Sequence, residues 1–311
     1  MRIPQKPPSG GFCFARPRPG CMGWNSASGW PHPPLRTSRM RLDDLFQHTH
    51  KLPAMPRVAQ ALIDSFSADN VDVDTLIRQI SQDQVITAKV LRLANSAAFG
   101  ASRRVGSVSD ALVVLGFNTM RTLVVATAVT GAFVLVPGLD RRRFWRESLC
   151  VATHCQWLAD VSHSPGGLAF STGLMHNIGE LLLHLAAPEA MAKTDKALAG
   201  GPERAQQQRL LMGVDYVQAG EELARRWNFP EELRAAIRYQ HDPEAQPHPL
   251  ADILHSALAL SAAAAIANED GDPLAALPGA SAVRLHVTPA QLTAALPQLR
   301  AHLSDLEELL L

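Results

Sequence analysis

Residues 167 to 189 read GLAFSTGLMHNIGELLLHLAAPE and are apolar on almost every side. A helix with one apolar stripe lies on the outside of a core, whereas a helix that is apolar all round has to be enclosed by others. This stretch therefore demands a bundle. From residue 41 onward the apolar spacing is helical nearly everywhere, with no alternating strand of convincing length and no internal repeat at a fixed period. The predicted fold class is all-α: a multi-helix bundle preceded by a helical N-terminal subdomain. One domain is expected over 41–268, followed over 269–311 by a linker and a C-terminal helix.

Local signals place the helices. Asp74 is expected to cap a helix whose buried stripe is Leu76, Ile77 and Ile80. In QVITAKVLRLANS the apolar side is read as Val85, Ala88 and Leu91, with Ile86, Val90 and Leu93 beside them, and Asn95-Ser96 and Gly100 close it. Ser107 or Ser109 caps a short helix ended by Gly116. Helices then cover 117–136 and 140–162, stopped by Pro137-Gly138 and by SPGG. The 167–189 stretch is read as one helix through the bundle centre. Further helices are expected near Glu203–Leu211 and Tyr216–Trp227. Another is opened by Pro230 and stopped by Pro243, one covers Leu250–Ile266, and Thr288-Pro289 caps a last helix reaching Leu311. GDPLAALPGASAVRLHV is read as linker.

The first forty residues are different. They carry eight prolines, five glycines and the basic residues Arg2, Lys6, Arg16, Arg18, Arg36 and Arg39, with no acid and no apolar periodicity. Such a segment buries too little surface to offset its ordering entropy and lacks a secretory h-region, so residues 1–40 are read as a disordered leader or a start assigned too early, with Met40 the later candidate. Without those six cations, 23 basic residues face 29 acidic ones. That excess of acid disfavours a broad nucleic-acid face. Cys13, Cys21, Cys150 and Cys155 form neither a disulfide framework nor a zinc ribbon. The longest apolar run, Leu123 to Val136, falls short of the roughly 20 residues a bilayer requires. No membrane association is expected, and the expected compartment is the cytoplasm.

The chemistry turns on His176-Asn177. A His-Asp pair there would offer two metal ligands, but Asn177 is a neutral amide that brings no charge to hold a divalent cation or ionise its water. His176, Glu180 and His184 stand at i, i+4 and i+8, where neighbours could share an ion although the flank drifts by about 80 degrees. A polar core contact or a helix-end role is the plainer reading. The literal His241-Asp242 precedes Pro243 at a helix end, where Asp242 suits a turn. Cys150 and His154, at i and i+4, are read as a helix pair. No nucleophile elbow, phosphate loop or dinucleotide fingerprint occurs.

Taken in order, LPAMPRVAQAL (52–62), QDQVITAKVLRLANSAAFG (82–100), SVSDALVVLGFNTMRTLVV (107–125), FWRESLCVA (144–152), GLMHNIGELLL (173–183) and GVDYVQAGEELARRWNFPEELRAAIRYQHDP (213–243) resemble the HDOD family, HD-related output domains of bacterial signalling proteins. The resemblance implies an all-α domain related to HD phosphohydrolases but without their full ligand set. Glu147 stands where the first ligand His is expected, His176-Asn177 replaces the HD dyad, Tyr216 replaces a further His, and no last Asp aligns near His255, although Asp252 lies one turn earlier. Only His176, His241 and Glu147 remain, too few for a dimetal centre. The expectation is a noncatalytic module without metal or cofactor, coupling to signalling protein partners in trans. The alternative is a metal-dependent phosphohydrolase or phosphodiesterase built on Glu147, His176, Asn177, Glu180 and His241. A third reading is a regulator that binds a guanine nucleotide without turnover.

Overall fold

Gly179 and Gly173 set how closely the central helices approach. The structure, a computed structural model, describes residues 40–48, 55–67, 72–95, 104–197, 201–266 and 277–310, and among them every regular element is a helix. The N-terminal helices are α1 (Leu42–His48), α2 (Arg57–Asp64), α3 (Val73–Gln82) and α4 (Gln84–Ala94). The bundle follows with α5 (Val108–Ala132), α6 (Arg141–Val161), α7 (Gly166–Met175), α8 (Ile178–Ala186), α9 (Pro188–Ala197), α10 (Gly201–Met212), α11 (Tyr216–Arg226), α12 (Glu231–Arg238) and α13 (Pro249–Ile266). Two more, α14 (Gly279–Arg284) and α15 (Pro289–Leu310), close the chain's described part. All belong to one compact unit spanning 37–311. The leader, Ser96, Gly100 and the first half of the linker lie outside the described residues.

The all-α expectation holds, and the enclosed stretch is indeed interior, but it is two helices rather than one. α7 ends at Met175 and α8 starts at Ile178, with His176-Asn177 as the corner between them. Residues 169–175 and 178–184 are all buried, and α7 touches α5, α6, α12 and α13. An ideal Cβ on Gly173 would come within 2.6 Å of Ala152 Cα in α6. One on Gly179 would come within 2.0 Å of the Tyr216 carbonyl oxygen in α11. Only a residue without a side chain permits such contact.

Elsewhere the sequence reading needs correcting by a residue or two. Asp72, not Asp74, caps α3 by accepting from Thr75 N–H at 3.0 Å, because the helix starts two residues earlier than the apolar stripe suggested. In α4 the buried face is Ile86, Val90 and Leu93, and Val85 is 64% exposed. Those three share the i, i+4, i+7 face, which Val85 and Ala88 do not. Ser107 caps α5, and Gly116, at φ 74° and ψ 161°, divides that element into two helical segments, as the sequence reading placed them. Taken as one element α5 has 25 residues and would pass for a bilayer-crossing helix by length and hydropathy, but Gly116 breaks it and half of its most apolar window is buried in the protein. α12 ends at Arg238, three residues before His241. α9 lay unassigned in the sequence, and α14 occupies part of the supposed linker.

The N-terminal helices meet the bundle at the Trp227-Asn228-Phe229 corner between α11 and α12. Gln60 Nε2 donates to Trp227 O at 2.9 Å, and Asn228, in the left-handed region at φ 59°, donates from Nδ2 to Asp64 Oδ1 at 2.7 Å. Arg226 stacks over Phe46, its guanidinium carbon 4.1 Å from the ring centre.

Gly179→Ala should therefore cost about 3 kcal/mol or more, as α8 and α11 are driven apart. Gly131→Ala, in α5 with open space around its Cβ, should stabilise by about 0.5–1 kcal/mol through helix propensity. Urea unfolding of the two variants beside the parent checks both signs.

Candidate functional site

The corner between α7 and α8 carries the polar residues singled out in the sequence. α6 supplies Ser148, whose Oγ sits 2.9 Å from Phe144 O and 3.0 Å from the Asn177 side-chain oxygen. The Asn177 amide is thus engaged by a neutral hydroxyl. His176 turns the other way. Its Nδ1–H donates to Gly173 O at 2.7 Å, and its own carbonyl accepts from Gln240 Nε2 at 3.2 Å. With the proton on Nδ1, the lone pair lies on Nε2. Burial, followed by the proximity of His241, pushes the His176 imidazole down to about 4, so it is neutral near pH 7.

α11 presents Tyr216 to the segment after α12. Its hydroxyl lies 2.6 Å from His241 Nε2, and the rings meet edge to face with centroids 6.1 Å apart. The phenol is held well above its ordinary range, chiefly by burial, and therefore stays un-ionised. Burial also lowers His241, and His255 adds to that. His255, on α13, donates from Nδ1 to Gln240 O at 2.8 Å. The fully buried Gln240 thereby links the His176 corner to His255 on α13.

The structure draws His176, Asn177, Tyr216 and His241 to this region and leaves Glu147 out. Glu147 lies on the outer side of α6, its side chain 57% exposed, and pairs with Arg143 Nε at 2.8 Å. The next residue, Ser148, faces inward instead, since one step along a helix turns about 100 degrees. Glu180 and His184 are also elsewhere, because the corner removes His176 from their helix. Glu180 accepts from Arg204 Nε and Nη2 at 2.8 and 2.7 Å and from Gln208 Nε2 at 2.9 Å. Arg204 reaches Asp195 at 2.6 Å, and His184 Nε2 lies 3.5 Å from that same carboxylate. This buried network ties α8 to α9 and α10. Gln208 Oε1 then accepts from Tyr216 N–H at 2.8 Å, which joins the network to the start of α11.

The remaining candidates have structural partners. Asp242 is exposed in a turn, its N–H donating to Tyr239 O. Asp252 is taken up by Ser281 Oγ and Arg284 Nε, both at 2.8 Å. His154 Nδ1 lies 2.8 Å from Ser261 Oγ and 3.8 Å from Cys150 Sγ. Among the described residues no three His, Cys, Asp or Glu side chains converge as metal ligands. The donors at the corner do not fit a dimetal centre: one amide, two imidazoles of which one has its Nε2 shared with a phenol, and no carboxylate. Sequence reasoning missed Gln240, His255 as its partner, and the Arg204–Asp195–Gln208 set. Gln240 had one signal, its position beside His241; Arg204 stood in a helix marked only by its polar character.

The all-α bundle with its His-bearing corner has the fold of HD-type domains, and the chain belongs to the HDOD domain family, whose model matches residues 52–243. Its fold is similar to a Shewanella amazonensis SB2B protein named "Putative phosphohydrolase", 32% identical, with TM-score 0.72, covering 86% of this chain and 98% of that one. A Marinobacter aquaeolei VT8 protein named "Putative signal transduction protein" is 25% identical with TM-score 0.67, over 86% of this chain and 60% of that one. An HDOD domain protein of Geobacter sulfurreducens shares the fold at 22% identity and TM-score 0.65, over 87% and 98% of the two chains. An uncharacterized protein of Treponema pallidum (strain Nichols) is 27% identical over 208 residues, 65% of this chain but only 38% of that protein.

Two buried histidines make stability depend on pH. Burial pushes both His154 and His176 down to about 4 from an ordinary 6.5. Between those values the unfolded chain takes up protons that the folded chain refuses, so stability is full above about pH 6.5 and is lost as pH falls toward 4. Urea midpoints measured from pH 7.5 to 4.5 should fall, and the slope should flatten in His176→Asn, which keeps a donor for Gly173 O but does not titrate.

Proposed function

We propose that this chain is a noncatalytic signal-transduction module, related by descent to HD phosphohydrolases, that works in the cytoplasm through contacts with signalling protein partners and not with nucleic acid or membrane. The observation that carries the reading is the 2.6 Å contact between Tyr216 and His241. A metal on His241 Nε2 would have to displace a phenol that is itself buried, and would find a neutral amide at Asn177 in place of an anionic ligand. Glu147 cannot replace that charge without abandoning the surface of α6. The name of the Marinobacter structure is in keeping with this role.

The competing reading is a metal-dependent phosphohydrolase or phosphodiesterase. Its support is specific: the Gly173 carbonyl fixes the His176 tautomer in the way ligating histidines are usually oriented, with Nε2 left to coordinate. The name of the Shewanella structure favours it too.

Elemental analysis of the untagged full chain, purified with iron, manganese and zinc available, separates the two. Substoichiometric traces are the expected result. One or two metals per chain, lost on His176→Ala, would overturn the noncatalytic reading and direct the work to phosphodiester substrates. A thermal shift of several degrees with guanine nucleotides would instead favour a ligand-binding regulator.

A further inference from the structure

α15 lies along α6 and also touches α4 and α5, so one helix joins the N-terminal subdomain to the bundle. Its inner face is Leu292, Leu306 and Leu310, all buried, with Leu296 and Leu303 partly so. Its last turn meets a basic surface. Lys89 Nζ donates to Leu310 O at 3.2 Å, Arg92 pairs with Glu308, and Arg146 Nε donates to Glu307 at 3.0 Å. Arg141 is close enough to Lys89 to add to the lowering of its pKa that burial begins. A groove with this many cations favours an occupant with carboxylates and a helix C-terminal end, where the macrodipole is negative.

The polar part of the attachment is open to solvent. Arg92, Arg146 and Glu308 have side chains 55%, 55% and 77% exposed, and ion pairs that open to solvent hold weakly. Pro297 interrupts the hydrogen-bonding of α15 midway. The segment preceding α15 is fastened independently: Arg284 of α14 pairs with the buried Asp252, and the turn after it holds His286 at φ 53°. α14 can thus stay in place while α15 swings out.

We infer that the α4–α6 groove is a partner-binding surface occupied in cis by α15, and that its ligand in trans is an amphipathic helix with leucines at helical spacing and paired carboxylates in its last turn. The inference rests on the reading of this chain as a module acting through protein contacts, and deepens it by naming the surface and the chemistry of the partner.

The test is exchange in the full chain with Cys13→Ser and Cys21→Ser, which leaves Cys150 as reporter. Cys150 is one helical turn beyond Arg146 and near the Glu307 carboxylate, whereas Cys155 is fully buried. Glu307→Lys with Glu308→Lys should speed alkylation of Cys150 at least ten-fold, and a labelled peptide of residues 289–311 should bind this variant at least ten-fold more tightly than the parent. Adding Arg92→Glu and Arg146→Glu should restore slow alkylation by re-pairing the charges, which a merely misfolded variant could not do. Equal alkylation in parent and variant, or a peptide that binds neither or binds both alike, would overturn the proposal. A metal-loaded, active chain would defeat the noncatalytic reading without changing the exchange result, so the two failures are distinguishable.

Discussion

The contact between Gly179 and the Tyr216 carbonyl decides where everything at the corner sits. With α8 and α11 pressed together at that point, the Tyr216 side chain is carried toward His241, and its backbone N–H is brought to Gln208. Gly173 does the same on the other side, holding α6 against α7 so that Ser148 meets Asn177. Two glycines thus position an inner layer of side chains that a larger residue at either place would disperse.

Once assembled, this layer is mostly neutral. Burial keeps His176 and His241 unprotonated and the Tyr216 phenol protonated, and the groups satisfy one another through short hydrogen bonds. A buried ion pair lies a turn or more away, where the Arg204 guanidinium binds Glu180 through two nitrogens and also reaches Asp195 at the surface. A buried ion pair contributes little net stability by comparison with apolar packing but strongly penalises rearrangements that separate its members. Its effect here is to fix α9 and α10 relative to α8.

Much of the architecture could be read in the sequence because helical periodicity and capping residues act locally. The helices of the bundle and the opening by Pro230 needed no tertiary information, whereas the stop expected at Pro137-Gly138 falls earlier, since the helix already ends at Ala132. What could not be read depended on direction. Nothing local tells that the backbone breaks at His176-Asn177, since the apolar stretch continues on both sides, and that break separates His176 from Glu180 and His184. Glu147 failed for a related reason: a one-residue difference in alignment becomes about 100 degrees on a helix, enough to move a carboxylate from cleft to solvent. Gln240 was invisible because its contacts come from residues 64 positions upstream and 15 downstream.

Asp83 joins α3 and α4 with no residue to spare. Its N–H donates to Ile80 O at the end of one helix, while its carboxylate accepts from Val85 and Ile86 N–H at the start of the next. A joint made by one residue with both its backbone and side chain committed has little freedom to bend. α3 and α4 therefore behave as a cranked rod, and a push on the Arg92 end of α4 would be felt as a displacement of α3 rather than absorbed between them.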